Sequence, residues 1–324
     1  MANAETQKII ELIQATHGKE LEVTSYLDAL EQRVFSVGMR SALHSDLYGF
    51  AEDYLEHVAI EKAYSEFTER SVLLAFSSEL NLPNSNGMAA HINFELAQSA
   101  AVEELIERDV FLTMWLAKRP PYWLNESEIL ISESAVRLSE MGKTHKIECK
   151  FGLVGICNGH FVFCVATQGQ DFSEKYGFTV STAASLDFKT ALEKASLCAR
   201  RTINGFVTLL QLKKTIFANK KQIESDFPLY HRNYYMMFSS FAKASWFLES
   251  RADALELPSI DIAVRELPMP FVPAIPRVVV IATSAQAQQL WFGRTYSSLI
   301  NFERLESVLE NSRLTFNKYL HPIA

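Results

Sequence analysis

Glycine is in short supply: 12 residues in a chain of 324, and none stands in a run that could cradle phosphate groups with successive backbone N–H groups. Cysteine is scarcer still. The four, Cys149, Cys157, Cys164 and Cys198, form no Cys-x-x-Cys pair, which excludes a disulfide framework and a zinc site of the usual spacing and fits a reduced, cytoplasmic protein. Uninterrupted apolar runs of about 18 residues are absent, so no segment is expected to span a membrane. The opening Met1-Ala-Asn-Ala-Glu lacks the basic stretch and apolar run of a secretory signal. Positive charge is in deficit: Lys and Arg number 31 against 38 Asp and Glu, a net charge of -7. A protein that grips nucleic acid through a broad basic surface is thereby excluded, and any phosphate-bearing ligand must be held at a local site. What the chain does have is apolar content, 48%, ample for a buried core and too high for disorder. The length allows two domains or one large one.

Periodicity divides the chain. Apolar positions recur at helical spacing over residues 7–13, 24–33 and 55–80, so roughly the first 120 residues read as helical. A cluster of turn formers, Asn81-Leu-Pro-Asn-Ser-Asn-Gly87, precedes a second long helix over 94–118, which Pro120-Pro121 ends. From His145 the period changes to that of strands. Asn158-Gly159 between the apolar runs 146–157 and 161–167 predicts a hairpin in which both turn residues have positive φ. Residues 187–212 read as a helix with Ser185 or Asp187 as its cap. The aromatic-rich 230–248 suits a helix, and 258–276, with five of the 10 prolines, marks a rigid linker or a strand edge. Arg277-Val-Val-Val-Ile-Ala282 reads as a buried strand and 301–320 as a closing helix. This loose alternation predicts an α/β (α+β) fold of mixed sheets with packed helices, and no Pro/Gly/Ser linker separates independent domains.

One pattern carries chemistry. Glu-x-x-Glu-Arg occurs as Glu66-Phe-Thr-Glu69-Arg70 and again as Glu104-Leu-Ile-Glu107-Arg108. Positions i, i+3 and i+4 share a helix face, so each copy presents two carboxylates and a guanidinium together. An exposed helix face with salt bridges would produce the same spacing. The second copy, however, sits among Ala97, Ala101, Leu105, Ile106, Val110, Phe111 and Trp115, where charges need partners or a metal. Four carboxylates on two helices suffice for Mg²⁺, which prefers oxygen ligands and keeps phosphate oxygens in its shell, and the two arginines suit phosphate.

The residues around this pattern resemble a known family. Ser85-Asn86-Gly87-Met-Ala89-Ala90-His91, the run from Ala97 to Glu104, and Leu105-Ile-Glu107-Arg108-Asp109 with Trp115 are similar to the core of the YcaO-domain family. Weaker matches follow in order: Ala63 to Arg70, Ala191 to Arg201, Asp226 to His231 with Tyr234, Arg277 to Ile281, Leu290-Trp-Phe-Gly293, and Asn301 with Arg304-Leu305. The resemblance implies a YcaO-like ATP-binding domain over 55–324, with 1–54 a helical entry segment of the same domain. It implies an ATP- and Mg²⁺-dependent enzyme that activates peptide backbone amides by phosphorylation. The foremost expectation is azoline (thiazoline or oxazoline) formation on a ribosomally made precursor peptide; thioamide formation, or a degenerate subunit that binds peptide or partner without turnover, are the alternatives. Glu66, Glu69, Glu104 and Glu107 would be the Mg²⁺/ATP ligands. Arg70 and Arg108 would hold phosphate or orient the carboxylates, Asn86 would contact the nucleotide or peptide, and Lys194 would be the basic residue of the nucleotide site; no residue is assigned as catalytic. A separate leader-peptide-binding, E1-like or TfuA-like partner is expected, in a homodimer or hetero-complex, without nucleic acid or membrane.

The chain departs from the family pattern in three places. Cys198 stands four residues after Lys194, where a glutamate is expected. The tail Tyr319-Leu-His321-Pro322-Ile-Ala324 has one proline in place of a Pro-x-Pro-x-Pro ending. The family's N-terminal Lys and Ser have only Arg33 and Ser36 as candidates. Elsewhere, His91 could move a proton or serve as a cap or surface residue, and Cys157 with His160 could ligate a metal, though no second pair exists. The aromatic stripe Tyr230, Tyr234, Tyr235, Phe238, Phe241, Trp246 and Phe247 reads as core packing or a peptide groove. Pro268, Pro270, Pro273 and Pro276 read as a stiff crossover or a recognition segment.

Overall fold

The computed structural model describes residues 10–13, 20–28, 32–41, 47–80, 84–169, 178–211, 231, 234–235, 243–249, 253–270, 273–309 and 316–323. Two compact units emerge, Met1–Leu105 with Ile262–Thr283, and Ile106–Asp261 with Ser284–Ala324.

In the first unit β1 (Glu20–Leu27), β2 (Arg33–Arg40) and β3 (Tyr48–Asp53) form an antiparallel sheet in that order. This corrects the helix expected over 24–33. Asp28 and Gln32 are tied to each other there: the Asp28 N–H donates to the Gln32 carbonyl, and the Asp28 carboxylate accepts the Gln32 N–H, both at 2.9 Å. Val37 and Met39, two apart on β2, are then fully buried, an alternation of period two. Helix α1 (Glu56–Leu80) covers the sheet, with Ala59, Ile60, Ala63, Tyr64 and Phe67 joining Val37, Met39 and Ala51 in one cluster. Further along, Val72, Leu73 and Phe76 of α1 pack on a second antiparallel sheet, ordered β4 (Met88–His91), β10 (Val278–Thr283), β9 (Ala263–Leu267). The buried strand expected at 277–282 is thus β10, and the proline-rich segment contributes the edge strand β9. Entry to β4 requires glycine: Gly87 has φ +73°, and a Cβ there would lie 2.4 Å from the Ala282 carbonyl oxygen.

Helix α2 (Phe94–Leu116) gives its residues up to Leu105 to the first unit and the rest to the second. The second unit holds a four-stranded antiparallel sheet, β5 (Tyr122–Trp123), β6 (Ile147–Cys157), β7 (His160–Gly169) and β8 (Phe178–Ser185), in sequence order. The β6–β7 turn is the expected one, with φ of 48° at Asn158 and 75° at Gly159. A short α3 (Glu126–Ile129) carries a capping box on Asn125. Helices α4 (Glu133–His145) and α5 (Phe188–Gln211) pack on the sheet. Trp115 of α2 lies at the centre of an aromatic core with Tyr235, Trp246 and Phe247, the last two on α6 (Ser245–Glu249). Of the aromatic stripe, Tyr235, Trp246 and Phe247 are therefore core packing, while the half-buried Tyr234 takes a hydrogen bond from Lys243 at 2.9 Å; Tyr230, Phe238 and Phe241 lie outside the described residues.

The closing helix expected over 301–320 reduces, among the described residues, to α7 (Phe302–Glu306), capped by Asn301. From residue 316 the backbone is spent elsewhere. The Asn317 N–H donates to the Leu116 carbonyl at 2.7 Å, satisfying an end of α2, and the Tyr319 and Leu320 carbonyls accept from Trp115 Nε1 and the Tyr235 hydroxyl. Every strand ladder described is antiparallel, giving an α+β fold. No helix among the described residues is long and apolar enough to cross a membrane.

Candidate functional site

The first Glu-x-x-Glu-Arg copy lies on α1. Glu66 Oε1 accepts from Arg70 Nη2 at 2.6 Å, the i,i+4 pair that the spacing predicts, and Glu66 Oε2 accepts the Phe50 N–H of β3 at 2.9 Å. Glu69, one turn from Glu66, accepts the Ala90 N–H of β4 at 2.8 Å. Ala90 stands on an edge strand, so its N–H has no ladder partner on that side and the carboxylate takes the strand's place. Burial pushes the Glu69 carboxyl well above the ordinary carboxylate range; the Ala90 N–H pulls it back in part, and Glu104 and then Glu66 push it further up against Arg70. Glu69 and Glu104, 35 positions apart on different helices, are thus close enough to oppose each other's charge.

Asn86 belongs to the same unit. The turn holding it is pinned by Asn84, whose side-chain oxygen accepts the Asn86 N–H at 3.0 Å, and by the Met88 N–H on the Ser85 carbonyl at 2.9 Å. Both polar atoms of the Asn86 amide are buried, and neither meets a hydrogen-bond partner among the described residues. A buried amide left so costs about 1–3 kcal/mol unless something accepts and donates to it.

In the second unit Glu107 accepts a hydrogen bond from the Thr182 hydroxyl of β8 at 2.5 Å. The adjacent Arg108 Nε lies 3.7 Å from the same carboxylate oxygen. Glu104 and Glu107 are one turn apart on α2, as the motif requires. Asp109, next in the motif, serves structure: fully buried, it is gripped by Arg304 of α7, with Nε at 3.1 and 3.0 Å from its two oxygens and Nη2 at 2.5 Å from Oδ2, while the Gln288 N–H adds 2.7 Å. Lys194 lies exposed on α5, with Cys198 one turn on, and Arg201 Nη2 is 3.7 Å from the Cys198 sulfur.

The remaining candidates have local partners. Cys157 Sγ lies 3.2 Å from Arg304 Nη2 and 3.3 Å from Asn158 Oδ1, and His160 Nδ1 lies 3.1 Å from the Asn158 carbonyl. His91 Nδ1 accepts the Ile92 N–H at 2.9 Å, and burial together with Arg277 lowers its pKa. Arg33 and Ser36 are three apart on β2, so strand alternation puts them on opposite faces. Sequence reasoning missed Thr182, a threonine in a strand with no motif around it, and the donors at Phe50 and Ala90, which are backbone groups and invisible in residue identities.

Among the described residues, no group of three His, Cys, Asp or Glu side chains is gathered to cage a metal. Mg²⁺ does not need one: it is held through one or two carboxylates, phosphate oxygens and waters. Hard oxygen donors, a Glu69 whose ionisation a divalent cation would favour, and an Asn86 amide in want of partners fit Mg²⁺ with a nucleotide.

A family model described as "YcaO cyclodehydratase, ATP-ad Mg2+-binding" matches residues 15–267. No curated protein matches. Among solved structures, a heterocyclase in complex with substrate and cofactor superposes with a TM-score of 0.67 at 13% identity, over 98% of this chain and 57% of that one. A YcaO protein of Methanopyrus kandleri bound with AMPPCP and Mg²⁺ gives 0.60 at 12% identity, over 95% of both chains. An E. coli microcin synthetase McbBCD complex with pro-MccB17 bound gives 0.55 at 11%, over 82% of this chain and 88% of that one. The chain thus spans little more than half of the heterocyclase, and the likeness to all three is one of fold.

Proposed function

This chain belongs to the YcaO family, whose model covers residues 15–267, and we propose that it is an ATP- and Mg²⁺-dependent subunit that activates peptide backbone amides for azoline formation on a precursor peptide. ATP and Mg²⁺ are the cofactors of the family. When bound, they supply the phosphoryl group that turns an amide oxygen into a leaving group and the charge that neutralises it. The chain's own part is positioning and electrostatics. Glu66, Glu69, Glu104 and Glu107 take Mg²⁺ directly or through water, Arg70 and Arg108 hold phosphate or orient those carboxylates, and Asn86 and Lys194 contact the nucleotide. The observation that carries this reading is the Glu69 carboxylate, held by the Ala90 N–H at 2.8 Å, which burial first and then Glu104 and Glu66 push up, and whose ionised form a divalent cation would favour. A separate leader-binding, E1-like or TfuA-like partner delivers the peptide in the cytoplasm, in a homodimer or hetero-complex; the microcin synthetase of similar fold is itself a multi-subunit complex.

A second reading rests on Cys198. Where the resemblance expects a glutamate, its sulfur lies by Arg201, which favours a subunit without turnover. Titration of ATP into the purified protein with and without Mg²⁺ separates the two, repeated with Glu69→Gln and Glu107→Gln. The enzyme reading expects Mg²⁺-dependent binding that each variant weakens about tenfold or more, ~1.4 kcal/mol. A wild type that binds no nucleotide overturns it. If binding holds, the mass of a co-expressed peptide separates the chemistries: loss of water means azoline, exchange of oxygen for sulfur means thioamide.

A further inference from the structure

A metal-binding carboxylate is oriented by the hydrogen bonds that it accepts from outer partners. Glu66, Glu69 and Glu107 each accept from a donor outside their own helix. Phe50 N–H holds Glu66, Ala90 N–H holds Glu69, and the Thr182 hydroxyl holds Glu107. For Glu66 and Glu69 the donor is backbone, which only proline would remove. For Glu107 it is a side chain. Thr182 lies within β8, paired in register with Cys164 of β7, and its residue is only 8% exposed. Its β-branched side chain has few χ1 states, and the strand fixes the direction in which the hydroxyl points. A charge-assisted O–H···O contact of 2.5 Å engages Oε1 of Glu107.

We propose that Thr182 is a positioning residue: its hydroxyl fixes the rotamer of Glu107 and so sets the affinity for Mg²⁺ in the nucleotide complex, an inference that rests on Glu107 being a Mg²⁺ carboxylate. Removing such an outer partner typically costs 10–100-fold in metal affinity. The test is calorimetric titration of Mg²⁺ into the full chain at saturating ATP, for wild type, Thr182→Val, Thr182→Ser, Glu107→Gln and the double variant. Thr182→Val is expected to raise the half-saturating Mg²⁺ about 10–100-fold, with saturation still reached, and Thr182→Ser to restore most of it. Thr182→Ala carries the same expectation should the valine variant not fold. Because Thr182 acts through Glu107, the double variant should match Glu107→Gln alone; a merely structural role would add to it. If Glu107→Gln shifts the Mg²⁺ curve and Thr182→Val and Thr182→Ala do not, the positioning role is overturned. If Glu107→Gln itself shifts nothing, the assignment of Glu107 to Mg²⁺ fails, and the positioning role fails with it.

Discussion

Asp109→Asn keeps the shape of the buried carboxylate and removes its charge, and the structure says what that should cost. Both oxygens of Asp109 are engaged: Oδ1 by the Gln288 N–H and Arg304 Nε, Oδ2 by Arg304 Nε and Nη2. Arg304, 5% exposed, also donates from Nη1 to the Pro258 carbonyl at 2.6 Å, so the guanidinium cannot swing out to water without breaking that contact too. Burial pushes the Asp109 carboxyl up, and Arg304 pulls it back; Asp109 in turn holds Arg304 charged against burial. Breaking one side of such a pair leaves an uncompensated buried charge and costs about 3–5 kcal/mol. All four tryptophans, Trp115, Trp123, Trp246 and Trp291, lie in the unit that holds the pair, so urea unfolding followed by tryptophan fluorescence reports on that unit. With m of about 1–3 kcal/mol/M, a loss of ~4 kcal/mol lowers the midpoint by more than about 1 M. Replacing both partners, Asp109→Leu with Arg304→Met, should cost less than the sum of the single changes, with a coupling of about 2–3 kcal/mol. A cost below about 1 kcal/mol for Asp109→Asn, or strict additivity in the cycle, would refute the reasoning.

Three more outcomes can be checked, two of them on the ligand-free protein. Because the folded pKa of Glu69 is raised, its contribution to stability is present below the ordinary carboxylate range and is lost as pH rises through the raised value. Glu69→Gln should flatten that part of the pH profile in thermal melts and leave the protein at least as stable near neutrality; a profile identical to wild type would contradict the electrostatics. Mg²⁺ with ATP should release protons from the wild type, seen as buffer-dependent binding heats, and fewer from Glu69→Gln. Gly87→Ala meets both a φ of +73° and the Ala282 carbonyl at 2.4 Å, and should lose about 2 kcal/mol or more in urea unfolding; a loss under about 0.5 kcal/mol would mean that the turn adapts.

The elements that local chemistry governs were legible. A long apolar-periodic run made α1 and α2, Asn158-Gly159 made the hairpin, and Val278 to Ala282 made a strand, because each signal lies within a few residues of its effect. Two misreadings share one cause. At 24–33 and 301–320 the apolar spacing is helical, but partners outside the segment claim the backbone: β2 pairs with the neighbouring β1, and Leu116, far off in sequence, takes the Asn317 N–H. Spacing alone does not register such competition.

For the candidate site the division is similar. By itself, the sequence determined which side chains carry charge: the two Glu-x-x-Glu-Arg copies follow from helical geometry, since i, i+3 and i+4 share a face in any helix. Tertiary structure decided what each charge does. It set Glu69 against Glu104, tied Glu107 to a threonine 75 positions away, and turned Asp109, adjacent in the same motif, into an internal counter-ion for Arg304. Burial and the dielectric around a carboxylate depend on residues brought in from elsewhere in the chain, and those are fixed only when the chain has folded.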